Sequence, residues 1–257
     1  MYIIMGQRIF RLPLICVYMK MPHDIKKRGV LPVTDKKQLK TELLWLAAAV
    51  IGVFGAAATS VITANVILKR LPAVLSVPLS FVSEWLLLAV PVLIMIFRSE
   101  SFSEFLPSNE KLDRQIFSGF VTGMILTSLL TLAPMMLGFG DSIKSVSVSK
   151  SWQYIYYLLF SFLAQAAVEE LLFRGYFYSR INRLFGETAA MISSSVLFGL
   201  FNFFGGNLVK VILMTAVGIA FCILRRKDKD CTLLSLALAH GIYLFMNIVW
   251  SAVFMGG

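Results

Sequence analysis

The chain has 257 residues, of which 58% are hydrophobic and only 15% charged, with a formal net charge of +10. A soluble domain carries about 45–50% apolar and about 25% charged residues, so this composition excludes an ordinary soluble domain and points to a polytopic α-helical membrane protein. The basic excess does not call for nucleic acid, because the lysines and arginines sit between apolar segments, where membrane orientation accounts for them.

At the start of the chain, Arg8, Arg11 and Pro13 interrupt apolar pieces too short to span, and no small-residue cleavage site follows. No signal peptide is therefore expected, and Met19 and Met21 are alternative starts to Met1. Residues 20 to 40 carry Lys20, Lys26, Lys27, Arg28, Lys36, Lys37 and Lys40. They read as a solvated cytoplasmic tail near anionic headgroups. This divides the chain into a basic N-terminal tail, 1–40, and a membrane helical domain, 41–257.

Seven apolar runs follow. The first, Leu43 to Leu68, is rich in Ala and Gly, which let helices approach closely in lipid. The second, from about Val77 to Phe97, contains Glu84 and Pro91; Glu84 is either functional, near an interface, or paired with a neighbouring helix. A mixed-charge linker, Arg98 to Arg114, carries Phe102, Phe105 and Leu106 and is expected on the surface. The third span is Ile116 to Leu137, followed by a polar Gly-Asp-Ser-Ile-Lys-Ser loop. The fourth is Trp152 to Phe173, with Arg180 and Arg183 on a helical extension beyond it. The fifth is Ala189 to Phe204, the sixth Val209 to Leu224 and the seventh Leu233 to Phe254. With the N-terminus inside, the inner segments from residue 20 onward hold 17 Lys and Arg and the outer ones 5. That asymmetry predicts seven spans with the N-terminus in the cytoplasm and the C-terminus outside. Cys16, Cys222 and Cys231 are scattered and form neither a disulfide framework nor a metal-type spacing. The two halves show no matching broken helices, which weakens a transporter reading.

The fourth span carries the stretch Ala167-Val-Glu-Glu-Leu-Leu-Phe-Arg-Gly175. Ionisable residues inside a membrane segment cost several kcal/mol and are functional candidates by default. Glu170 and Arg174 are four apart, share a helix face and can pair. Glu169 lies about 100° round and is expected to point elsewhere. Phe198 and Asn202 recur at helical spacing on the fifth span; His240 and Asn247 face the same way on the seventh, about 10 Å apart. A carboxylate, an imidazole and amides meeting in a dry cavity can activate water and bind an oxyanion. The same residues can equally be interhelical hydrogen-bonding groups. The residues alone leave both readings open.

Glu169-Glu170-x-x-x-Arg174, then Phe198-x-x-x-Asn202, then His240 resemble, in order, the three motifs of the CPBP (CaaX protease and bacteriocin-processing, or Abi) family, over roughly residues 150–254. The resemblance implies a multi-helix intramembrane peptidase acting on a peptide or membrane-protein substrate near the cytoplasmic face. It makes Glu169 the residue that activates water, with Glu170 and Arg174 bracing the site. His240 would orient water or stabilise charge, and Asn202 would donate to an oxyanion. Two positions depart from the pattern. Asn202 stands where the family has His, and Leu244 stands where its third motif has Asn or Asp, with Asn247 almost a turn further on. The family also raises zinc, but His23, in the basic tail, and His240 are the only histidines. A two-histidine zinc site therefore cannot be built in the membrane, and no metal is assigned. The departures keep open a catalytically inactive scaffold or bacteriocin-immunity protein on the same fold. The short loops and Lys-rich tail suit a bacterial cell membrane.

Overall fold

The computed structural model describes residues 36–102, 111–138, 148, 150–205 and 208–254. Within them the chain is helical, and seven helices are long and apolar enough to cross a membrane. We number them α1 (Lys36–Arg70), α2 (Ala73–Phe97), α3 (Leu112–Met136), α4 (Ser151–Phe185), α5 (Glu187–Phe204), α6 (Leu208–Lys227) and α7 (Leu233–Phe254). Many of their large apolar side chains point outward, Ile51, Val74, Met136 and Leu208 among them. In water that surface would be a severe liability; against acyl chains it is the expected face of a helical bundle.

The expected segmentation holds, with two differences at its edges. Helix α1 begins at Lys36, so Lys36, Lys37 and Lys40 are helical rather than part of a tail; the tail proper, residues 1–35, lies outside the described residues. The fourth span and its extension form one helix of 35 residues. At 1.5 Å per residue that is about 50 Å, well beyond the roughly 30 Å hydrocarbon core. Residues 103–110 of the linker before α3, and the polar loop after it, also lie outside the described residues.

Two close helix approaches position the candidate site. A Cβ added to Gly119 would come within 2.7 Å of the Ser235 carbonyl, and one on Gly123 within 2.9 Å of the Ala239 carbonyl. Only glycine at these two positions, one turn apart, lets α3 lie backbone to backbone against α7. On another face of α7, Gly241 accommodates the Phe162 ring of α4, where an added Cβ would lie 2.7 Å from a ring carbon. Helix α7 is thus wedged between α3 and α4. At the end where α3 begins, Thr232 donates to buried Gln115 at 2.6 Å and Ser118 donates to Asp228 at 3.1 Å, tying α3 to the α6–α7 connection. At the same end, Arg98 pairs with Glu42 and Glu100, and Arg180 pairs with Glu100. These four charges tie the start of α1, the end of α2 and the extension of α4 together.

Candidate active site

Helix α4 changes pitch around the acidic pair. Wide π-helical turns, Phe160–Ala166 and Leu171–Phe177, flank the regular α turn Ala167–Glu170. Such turns often accompany functional sites, because they re-aim side chains without breaking the helix. Every residue from Leu172 to Phe177 is buried, so this is the part of α4 that the other helices surround.

His240 organises the site. Its Nδ1 lies 3.0 Å from Glu170 Oε1 and its Nε2 lies 3.9 Å from Glu169 Oε2. Adjacent carboxylates on α4 therefore address opposite nitrogens of one imidazole. The expectation that Glu169 points elsewhere is overturned: the ring is broad enough to sit between two side chains about 100° apart on the helix. The 3.0 Å contact is a hydrogen bond, whereas 3.9 Å is beyond hydrogen-bonding distance. Glu169 and His240 are each only 3% exposed, and Glu170 is 1% exposed.

Glu170 Oε1 is shared. Besides facing His240 it accepts from Arg174 Nη1 at 3.2 Å, the i, i+4 pair expected from the spacing. The guanidinium is held from its faces: its carbon lies 4.0 Å from the Phe198 ring centroid and 5.3 Å from that of Phe221. Arg174 Nε and Nη2 meet no hydrogen-bond partner among the described residues, so these aromatic faces are its main compensation there. The same two rings close on His240, edge to face, at 5.7 Å for Phe198 and 6.4 Å for Phe221. Phe198, fully buried, is thus a floor under both the arginine and the histidine.

The other sequence candidates are placed as follows. Asn202 begins a short 3₁₀ turn, Asn202–Gly205, that follows Phe201 in α5, and its side-chain amide donates to the Phe198 carbonyl at 3.0 Å. That bond uses one of its two N–H groups. Asn247 does not serve the same neighbour as His240: its side-chain oxygen accepts from Thr131 of α3 at 3.5 Å, while His240 faces α4. Four further residues belong to this neighbourhood. Gln165, one turn before Glu169, hydrogen-bonds the Glu169 carboxyl, and the charge of Lys210 of α6 acts on it. Arg225 donates to the Arg174 carbonyl at 2.9 Å inside the wide turn, and Phe221 completes the aromatic floor. Gln165 is four residues from Glu169 and was legible from spacing; Arg225 reads in sequence only as an orientation charge.

Residues 151–246 match the family model described as type II CAAX prenyl endopeptidase, Rce1-like. Over that segment the chain is similar to the Rce1-like family. That agrees with the CPBP resemblance, and the matched segment contains Glu169, Glu170, Arg174, Phe198, Asn202 and His240. No curated protein and no solved structure matches the chain. The Rce1-like segment takes in α4, α5, α6 and most of α7, whereas α1, α2 and α3 lie outside it. As for zinc, no group of three His, Cys, Asp or Glu side chains among the described residues is arranged to hold a metal ion. His23 lies outside them, and both nitrogens of His240 already face carboxylates. The described residues do not form a zinc ligand set.

Proposed function

We propose that this protein is an intramembrane endopeptidase of the CPBP type, in which Glu169 activates water to cleave a peptide bond in a membrane-borne substrate. The observation that carries the reading is the pair of carboxylates on opposite nitrogens of His240. Glu170 fixes the imidazole by accepting at Nδ1, and Arg174 in turn fixes Glu170. Nε2 is thereby presented to Glu169. Water entering between them can give its proton to Glu169 as its oxygen attacks the scissile carbonyl, and the same carboxyl can return that proton to the leaving amine. His240 holds the water by accepting from it at Nε2, and Asn202 is the residue proposed to donate its second N–H to the tetrahedral oxygen. Glu169 and His240 are almost fully buried, so substrate entry requires the helices around them to part. Charge asymmetry supports an N-terminus in the cytoplasm and cleavage near that face; the short loops and Lys-rich tail suit a bacterial cell membrane.

A second reading is a scaffold or immunity protein on the same fold. It is favoured by Asn202, which cannot carry a proton, and by Leu244, where the family pattern has Asn or Asp. One substitution separates the two. Glu169→Gln keeps the shape but removes the base, and loss of general-base action costs about 10²–10⁴-fold in rate. Purified wild-type protein in nanodiscs is expected to cleave an internally quenched prenylated CaaX peptide, and Glu169→Gln to lose that cleavage at unchanged yield. Equal cleavage by the two proteins refutes the base assignment. No cleavage by the wild type, together with full complementation of the cellular phenotype by Glu169→Gln, favours the scaffold.

A further inference from the structure

Arg225 ends the apolar run of α6 beside Arg226 and Lys227, where all three serve as orientation charges. The structure sets Arg225 apart from its neighbour. Arg226 is exposed and pairs with Glu187 at 3.4 Å. Arg225 is half-buried and turns back on α4, where its Nη1 donates to the Arg174 carbonyl at 2.9 Å. That carbonyl belongs to the wide turn Leu171–Phe177. In a regular α turn it would accept from the amide four residues on, that of Tyr178. Here the Tyr178 amide donates to the Phe173 and Gly175 carbonyls and passes over the one between them. Arg225 thus brings a charge-assisted donor to the carbonyl that the Tyr178 amide skips. Phe221 lies four residues before Arg225, on the same face of α6. Its ring centroid is 5.3 Å from the Arg174 guanidinium carbon. Helix α6 therefore holds Arg174 at both ends, the backbone through Arg225 and the guanidinium through Phe221.

From Arg174 the contacts run on to the imidazole. Arg174 Nη1 donates to Glu170 Oε1 at 3.2 Å, and the same oxygen lies 3.0 Å from His240 Nδ1. Glu169 Oε2, 3.9 Å from Nε2, addresses the ring from its other side. A neutral imidazole carries one N–H, and its other nitrogen is the acceptor. With Glu170 held in place, the proton sits on Nδ1 and Nε2 is free to accept from water. With Glu170 loosened, Glu169 draws the proton to Nε2 and that acceptor is lost. We propose that Arg225 is a positioning residue of this site: by fixing the backbone of the wide turn it sets Arg174, through it Glu170, and so the tautomer of His240. Its part in catalysis rests on the reading of Nε2 as the nitrogen that holds the attacking water.

The test is nitrogen NMR of the full-length protein in nanodiscs, labelled at histidine, which needs no substrate. The chain has two histidines, and the signals lost in His23→Gln leave those of His240. At a pH where the ring is neutral, wild-type His240 is expected in the Nδ1–H form. Arg225→Gln should move the ratio of the two tautomers about tenfold toward Nε2–H, the scale of one lost charge-assisted hydrogen bond. Arg225→Lys keeps the charge but not the planar fork. It should move the ratio the same way by less, and it serves if Arg225→Gln does not insert. Arg226→Gln removes the adjacent charge at the same end of α6 and should leave the ratio unchanged. A purely structural or orienting role for Arg225 would alter yield or thermal midpoint and leave the tautomer in place. An unmoved ratio in either folded Arg225 variant, an equal shift in Arg226→Gln, or a wild type already in the Nε2–H form overturns the proposal. Peptide cleavage by the wild type against Glu169→Gln decides the role of Glu169 separately, so the two can fail independently.

Discussion

Gly123 offers a direct check on how the bundle aims His240. Adding one methyl there places a carbon 2.8 Å from Ile242 Cβ and 2.9 Å from the Ala239 carbonyl oxygen. Carbon atoms pack comfortably at about 3.5–4.0 Å, so α3 and α7 must separate by roughly 1 Å. His240 follows Ala239 on α7, and its 3.0 Å bond to Glu170 has little slack before it passes about 3.5 Å and ceases to be a hydrogen bond. Overpacking of this kind costs about 1–3 kcal/mol. Gly123→Ala should therefore lower the thermal midpoint in detergent by several degrees, at about 2–4 °C per kcal/mol, and weaken whatever function depends on His240. Gly55 is the control. An added Cβ there meets nothing within 4 Å, so Gly55→Ala should be neutral or stabilising by up to about 1 kcal/mol through helix propensity. If Gly123→Ala matches the wild type in midpoint and function, the claim that this contact positions α7 is wrong.

Removing either member of the Glu170–Arg174 pair leaves a buried charge unmatched, at a cost of about 3–5 kcal/mol. Both Glu170→Ala and Arg174→Ala should lower the amount of folded protein on a membrane-fraction blot. Arg174→Lys should not restore it, because an ammonium cannot stack between Phe198 and Phe221 as a planar guanidinium does; wild-type abundance in all three would refute a structural pair. Cys231 lies between α6 and α7, where burial first, and then the charge of Asp228, pushes its thiol up to about 11. The raised value favours the protonated thiol in the fold, so that contribution is complete below the unfolded value near 9 and is lost as pH rises through 11. A water-soluble maleimide at neutral pH should modify Cys231 far more slowly in the folded protein than after denaturation, read by mass spectrometry on a variant lacking Cys16 and Cys222; equal rates would show that the thiol is not sheltered.

The sequence by itself determined the seven helices, because the length and hydropathy of a spanning run are local properties of a contiguous segment. It determined the Glu170–Arg174 pair for the same reason, since four residues bring two side chains onto one face of a helix. It marked His240 and Asn202 as polar residues in apolar helices, and the order of three short motifs resembles the family whose model matches residues 151–246. It did not determine where those side chains meet. Glu170 and His240 are 70 residues apart, and their contact is set by glycines that let α7 settle against α3 and by the Phe162 ring seated at Gly241. The two wide turns of α4 are equally silent in sequence, because nothing in the periodicity of Phe160–Phe177 separates a π turn from an α turn. The direction of Glu169 was misjudged because a single-helix projection takes no account of a ring large enough to sit between neighbouring side chains. Only the packed helices decided which carboxylate faces which nitrogen and that Phe198 and Phe221 enclose the arginine.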